Sequence, residues 1–105
     1  MILGKQDTGR QITIKAGDII RIELEAIGGT GYWWYINDLD LTYLEFLSEE
    51  TKAISDKGMT GASVMDIWRF KALKKGSAEI RLDYYRKWEG LEKAANQFRM
   101  KLIIE

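Results

Sequence analysis

A chain of 105 residues has room for one hydrophobic core and not for two, and its 46% apolar and 30% charged residues are the proportions of a folded domain. Its 16 Lys and Arg balance 16 Asp and Glu, which argues against nucleic acid as a partner, because phosphates demand a cationic excess or stripe. With no His and no Cys, the usual neutral-pH general base, the thiolate nucleophile and nearly all zinc chemistry are excluded. Carboxylate or serine-lysine catalysis stays open, but no motif places a carboxylate pair or a phosphate-binding loop, so an enzyme is the least supported class and no cofactor or metal is expected.

No apolar run reaches membrane-spanning length, so no membrane association is expected. The start, Met1 to Asp7, lacks the charged and apolar regions of a leader, which fits a cytoplasmic protein or the mature form of an exported one.

In chain order, Gln11 to Lys15 alternates and is rich in β-branched residues, as a strand does, before a turn at Ala16-Gly17-Asp18. Ile19 to Glu25 is the clearest strand, with Ile20, Ile22 and Leu24 on one face and Arg21, Glu23 and Glu25 on the other. A helix would scatter those apolar side chains. The alternation then gives way to Gly28-Gly29-Thr30-Gly31, a turn whose glycines can adopt positive φ angles, followed at once by Tyr32, Trp33 and Trp34. Successive strand side chains point to opposite faces, so a strand from Tyr32 to Asn37 that buries Trp34 with Tyr32 and Ile36 turns Trp33 and Tyr35 the other way.

Asn37 to Asp40 is a turn signal. The next stretch, Leu41 to Ile54, has some helical spacing at Leu44 and Leu47, but two short strands, Tyr43 to Leu47 and Thr51 to Ser55, are preferred. A second glycine turn runs from Lys57 to Ser63. Val64 to Leu73 is then a strand with Val64, Trp68, Phe70 and Ala72 on one face and Met65, Ile67, Arg69 and Lys71 opposite. After Lys74-Lys75-Gly76, Ser77 to Arg86 places Ala78, Ile80, Leu82 and Tyr84 inward against Glu79, Arg81 and Asp83 outward. Tyr84 to Gly90 forms a third, aromatic turn, Lys93 to Asn96 is loop, and Gln97 to Glu105 closes the domain with Phe98, Met100, Leu102 and Ile104 inward.

Short strands punctuated about every ten residues describe an all-β sandwich. Trp34, Trp68, Phe70, Tyr84 and Phe98 fall at core spacing. Trp88 does not: it sits in a turn between Lys87 and Glu89, close to Arg86, which is the composition of an interface hot spot. The three turns are expected to share one end of the sandwich as a binding edge.

The order of these turns resembles the chagasin-type inhibitors of papain-like cysteine peptidases. That family's first motif, Asn-Pro-Thr-Thr-Gly-Tyr/Phe-x-Trp, falls on Ile27 to Trp34 and keeps Thr30, Gly31, Tyr32 and Trp34 without the Asn-Pro pair. Its last motif, Arg-Pro-Trp-x-Gly, falls on Arg86-Lys87-Trp88-Glu89-Gly90, with Lys87 in the proline position. Its middle motif, Gly-x-Gly-Gly, falls on Gly61-Ala62-Ser63-Val64 and keeps only the first glycine; Gly58 to Gly61 is another counterpart.

The resemblance implies a single domain over residues 1–105, an immunoglobulin-like sandwich of about seven to eight strands, and a reversible, monomeric inhibitor. Its partner would be a papain-like cysteine peptidase, held by Gly29, Thr30, Gly31 and Tyr32 of the first loop, Gly61, Ala62 and Ser63 of the middle loop, and Arg86 and Trp88 of the last. Gly31 would let the backbone approach the catalytic cysteine, Tyr32 would support the loop, and Trp88 would meet aromatic surface beside the cleft. The rival reading is a carbohydrate-binding or adhesion module that uses Trp33, Tyr35 and Trp88 as stacking platforms near Asn37. A structural module of a larger surface assembly is a third.

Overall fold

The computed structural model describes residues 1–53 and 63–105. Among them are eight strands: β1 (Ile2–Gly4), β2 (Gln11–Ile14), β3 (Ile19–Ile27), β4 (Tyr32–Leu39), β5 (Leu44–Ala53), β6 (Ser63–Ala72), β7 (Gly76–Arg86) and β8 (Asn96–Ile104). Single 3₁₀ turns occupy Lys5–Asp7 and Leu91–Lys93. The strands form two four-stranded sheets, ordered β1-β3-β6-β5 and β2-β8-β7-β4. Pairing is antiparallel except at β1 with β3 and β2 with β8, where the short first strands join their sheets in parallel. This is the all-β sandwich that the alternation predicts.

The predicted inner faces meet between the sheets. Ile20, Ile22 and Leu24 of β3 and Phe70 and Ala72 of β6 are at most 1% exposed, and they face Ile80 and Leu82 of β7 and Phe98, Met100 and Leu102 of β8, all within 2%. Trp34 is buried to 2%, tilted against Tyr84 with ring centroids 4.9 Å apart. Its indole Nε1 donates to the Glu25 carbonyl at 3.0 Å, which satisfies the polar end of an otherwise apolar ring and ties β4 to β3 across the two sheets.

Four features depart from the sequence expectation. The two short strands placed at Tyr43 to Leu47 and Thr51 to Ser55 are one strand, β5, with a bulge between Phe46 and Ser48; Ile54 and Ser55 lie outside the described residues. The bulge explains the helix-like spacing, because one extra residue shifts the two-residue phase. Phe46 before it packs edge-on against Trp68 and Phe70, at 6.1 and 5.9 Å between centroids, while Glu49 and Thr51 after it fall opposite Trp68 and Asp66. Strand β1 escapes a pattern-based reading because three residues carry no period.

Third, β4 runs on to Leu39 through the turn expected at Asn37 to Asp40, with a bulge between Ile36 and Asp38. Beside that stretch, Asp83 faces outward as expected, yet it is only 1% exposed. It accepts hydrogen bonds from Asn37 Nδ2 (2.7 Å), Arg81 Nε (3.0 Å) and Gln97 Nε2 (2.9 Å), so polar side chains cover it on the outer face of its sheet. Fourth, Trp33 does not stand free on that face. It belongs to β4, the edge strand of its sheet; its ring packs against the core, and its Nε1 reaches Glu49 of β5, the edge strand of the other sheet, at 3.3 Å. Among the described residues no helix is long and apolar enough to cross a membrane.

Candidate inhibitory edge

Strand pairing brings the three connections together. Ile27, the last residue of β3, pairs with Ser63, the first of β6; Tyr32, the first of β4, pairs with Arg86, the last of β7. The β3–β4, β5–β6 and β7–β8 connections therefore leave the sandwich at one end. Of the predicted contact residues, Gly29, Thr30, Gly31, Tyr32, Arg86 and Trp88 lie there, with Ser63 at the root of the middle connection. Gly61 and Ala62, and the alternative at Gly58, lie outside the described residues.

The first loop is closed by its own threonine. Thr30 Oγ1 donates to the Ile27 carbonyl at 3.0 Å and accepts from the Tyr32 amide at 3.2 Å, so one hydroxyl spans the turn. At its root, the Ile27 amide donates to the Tyr84 hydroxyl at 3.1 Å, and Tyr84 stacks on Tyr32 at 5.3 Å. In the last loop, the Glu89 and Gly90 amides both donate to the Arg86 carbonyl, at 2.9 and 3.1 Å, which curls the chain beneath Trp88.

Arg86 joins the two loops. Its Nε donates to the Thr30 carbonyl at 2.9 Å, and its guanidinium lies 4.5 Å from the Tyr32 ring centroid and 6.0 Å from that of Trp88. Glu89 pairs with the same guanidinium at 3.6 Å. A planar, always charged fork suits a site that must bond a carbonyl and stack on a ring together. Lys87, standing in the proline position, places its Nζ 5.9 Å from the Tyr35 ring, and Tyr35 leans on Tyr85 at 4.9 Å.

Trp88 is 72% exposed, the most exposed large apolar side chain among the described residues, as expected of an anchor. Gly31 has a close neighbour within its own molecule. Gly31 has φ +84°, and a Cβ there would come within 2.2 Å of Trp88 Cη2. The missing side chain makes room for a tryptophan of the same molecule, before any partner arrives. No motif count discloses that contact, because the two residues are 57 positions apart.

Among the described residues there is no group of three or more Asp or Glu that could hold a metal ion. Two perturbed carboxylates belong to ordinary pairings elsewhere: the Gly4 amide and then Arg10 hold Asp7 below its usual range, and Arg69 does so for Glu50. A third, Asp66 on the inner face of β6, is fully buried, and the sequence pattern gave no sign of it.

Residues 13–102 match the family model described as chagasin family peptidase inhibitor I42. Among solved structures, the cysteine protease inhibitor EhICP2 from Entamoeba histolytica is 27% identical, with a TM-score of 0.89 over 99% of this chain and 94% of that one. The solution structure of amebosin is 22% identical, with a TM-score of 0.75 over 99% and 96% of the two chains. PbICP-C, solved in complex with falcipain-2, is 18% identical, with a TM-score of 0.69 over 100% and 90%. At those last two identities the likeness is one of fold. No curated protein sequence matches the chain.

Proposed function

The chain belongs to the chagasin family of peptidase inhibitors, and from that premise we propose that it is a reversible, competitive inhibitor of papain-like cysteine peptidases, acting as a single monomeric domain. The observation that carries the reading is the Arg86 bridge: two loops far apart in sequence form one braced edge with a tryptophan standing out of it. Such an edge loses little conformational entropy on docking, so tight binding needs no covalent capture. The likeness to EhICP2, a cysteine protease inhibitor, and to the fold of a protein complexed with falcipain-2, supports the choice of target.

In this reading the backbone at Thr30 and Gly31 lies over the catalytic cysteine and presents no scissile bond in attackable geometry. Gly29 keeps the approach narrow, Tyr32 and Arg86 hold the loop from behind, and Trp88 packs on apolar surface beside the cleft. The middle loop, through Gly61, Ala62 and Ser63, meets the opposite wall. A cytoplasmic and an exported inhibitor would both work this way.

The carbohydrate reading loses one of its three platforms: Trp33 is taken up by the core and Glu49. No observation favours a surface-assembly module over the family's activity. The test is binding of the domain to a papain-like peptidase with its cysteine free, and again after alkylation by a bulky peptidyl reagent. We expect tight binding to the first and at least about tenfold weaker binding to the second, a difference of about 1.4 kcal/mol. Equal affinity for both would place the contact outside the cleft, and no binding to any such peptidase would refute the function.

A further inference from the structure

Strand β3 has β6 on one side along its whole length, and β1 on the other only from Arg21 to Glu23. Past Glu23, among the described residues, no strand lies on that second side, so β3 runs on to the first loop with one edge bare. Two side chains of the facing sheet take backbone groups of this stretch. The Trp34 indole Nε1 donates to the Glu25 carbonyl at 3.0 Å, and the Tyr84 hydroxyl accepts from the Ile27 amide at 3.1 Å. The two rings tilt against each other at 4.9 Å and Trp34 is buried, so the Tyr84 hydroxyl is carried by a ring that the core holds in place.

Ile27 is the last residue of β3, and both of its backbone polar groups are engaged. Its amide donates to Tyr84, and its carbonyl accepts at 3.0 Å from Thr30 Oγ1, the hydroxyl that also closes onto the Tyr32 amide. Two residues along β7 from Tyr84, on the same face of that strand, Arg86 Nε donates to the Thr30 carbonyl at 2.9 Å. Both β7 side chains also lie against the Tyr32 ring, Tyr84 stacked at 5.3 Å and the guanidinium at 4.5 Å from its centroid. One strand, β7, therefore holds the first loop at its entry and again at Thr30.

We propose that Tyr84 is a positioning residue of the inhibitory edge: its hydroxyl pins the entry of the first loop at Ile27 as Arg86 pins Thr30, and together they set where the Thr30–Gly31 backbone stands. The bond contributes little to stability. Ile27 is 46% exposed, so water takes its amide when the hydroxyl is removed, and such an exchange changes the folding free energy only slightly. What water does not supply is a fixed direction, and the loop is then tied to β7 by Arg86 alone. The Gly28-Gly29 pair that follows Ile27, with Gly29 at φ +82°, gives the root little stiffness of its own.

The inference rests on the cleft-inhibitor reading, so one readout of its test is independent of that reading. Wild type is compared with Tyr84→Phe, which keeps both ring contacts and removes only the hydroxyl. The control is Ile14→Val, which removes one buried methyl at the far end of the core, where Ile14 pairs with Ile104. In the free protein, hydrogen exchange of the Ile27 amide should quicken by about fivefold in Tyr84→Phe and not in Ile14→Val. With one papain-like peptidase, association of Tyr84→Phe should slow by about fivefold and dissociation stay within about twofold of wild type, because a loop that must first find its shape docks from a smaller competent fraction. Ile14→Val should associate as wild type does.

Equal exchange at Ile27 in wild type and Tyr84→Phe would overturn the pin. Faster exchange with unchanged association, or a loss carried by dissociation, would overturn the positioning role, as would a matching loss in Ile14→Val. If exchange quickens in Tyr84→Phe while the wild type inhibits no such peptidase, the pin stands, the cleft-inhibitor reading fails, and the positioning role falls with it.

Discussion

Gly31→Ala separates the two jobs that the glycine performs. At φ +84° an L-residue costs roughly 1–2 kcal/mol. The new Cβ would also lie 2.2 Å from Cη2, 2.9 Å from Cζ2 and 3.1 Å from Cζ3 of Trp88, all inside the contact distance at which two carbons attract. The indole is 72% exposed, so it moves aside and does not drag the sandwich apart. Stability should therefore fall only by the backbone term, about 1–2 kcal/mol in urea unfolding, with a Tm drop of about 4–8 °C per kcal/mol. Inhibition should suffer more, because a displaced Trp88 no longer presents its ring: a loss of about 2 kcal/mol, or roughly thirtyfold in the inhibition constant. Trp88 fluorescence, taken as the difference between each protein and its Trp88→Phe counterpart, should report the displacement. An inhibition constant within about twofold of wild type, with the ring shown to have moved, would refute the claim that the Gly31–Trp88 contact shapes the binding edge.

The remaining predictions concern the brace and the core. Arg86→Lys keeps the charge but loses the Nε donor to Thr30 and the planar stack on Tyr32, so inhibition should weaken by about tenfold with folding intact; unchanged inhibition would mean charge alone suffices. Trp34→Ala removes a ring buried to 2% and its bond to Glu25, and should cost about 3–5 kcal/mol in denaturant unfolding; a loss below about 1 kcal/mol would contradict its place in the core.

What the sequence disclosed depended on the physics behind each feature. Strands β3, β7 and β8 were legible because the inner face of each carries an unbroken alternation, and every member of Ile20-Ile22-Leu24 and Phe98-Met100-Leu102 lies in the core as read. The edge was legible through residue type: Thr30, Gly31, Tyr32, Arg86 and Trp88 make an unlikely set for plain turns. Their mutual contacts were not, since Arg86 meeting the Thr30 carbonyl depends on β4 pairing with β7, which no local pattern encodes.

The bulge in β5 defeated periodicity outright by resetting its phase. The burial of Asp66 and of Asp83 was missed for a shared reason: a carboxyl is taken as a surface residue unless its partners are known. Those partners, Thr51 for one, Asn37, Arg81 and Gln97 for the other, come mostly from neighbouring strands. Trp33 was placed outward by correct alternation, but an edge strand leaves a large side chain free to wrap around its sheet.

The most direct measurement is a titration of papain and a cathepsin L-type peptidase with the purified domain, following hydrolysis of a fluorogenic peptide, with Trp88→Ala alongside. The wild type should inhibit competitively and in proportion to its concentration. The variant, folded as judged by its far-ultraviolet spectrum because the ring it loses is exposed, should be weaker by about 2 kcal/mol or more. Full hydrolysis in the presence of excess folded wild type, with both peptidases, would contradict the account, and equal inhibition by Trp88→Ala would show that the binding edge lies elsewhere on the sandwich.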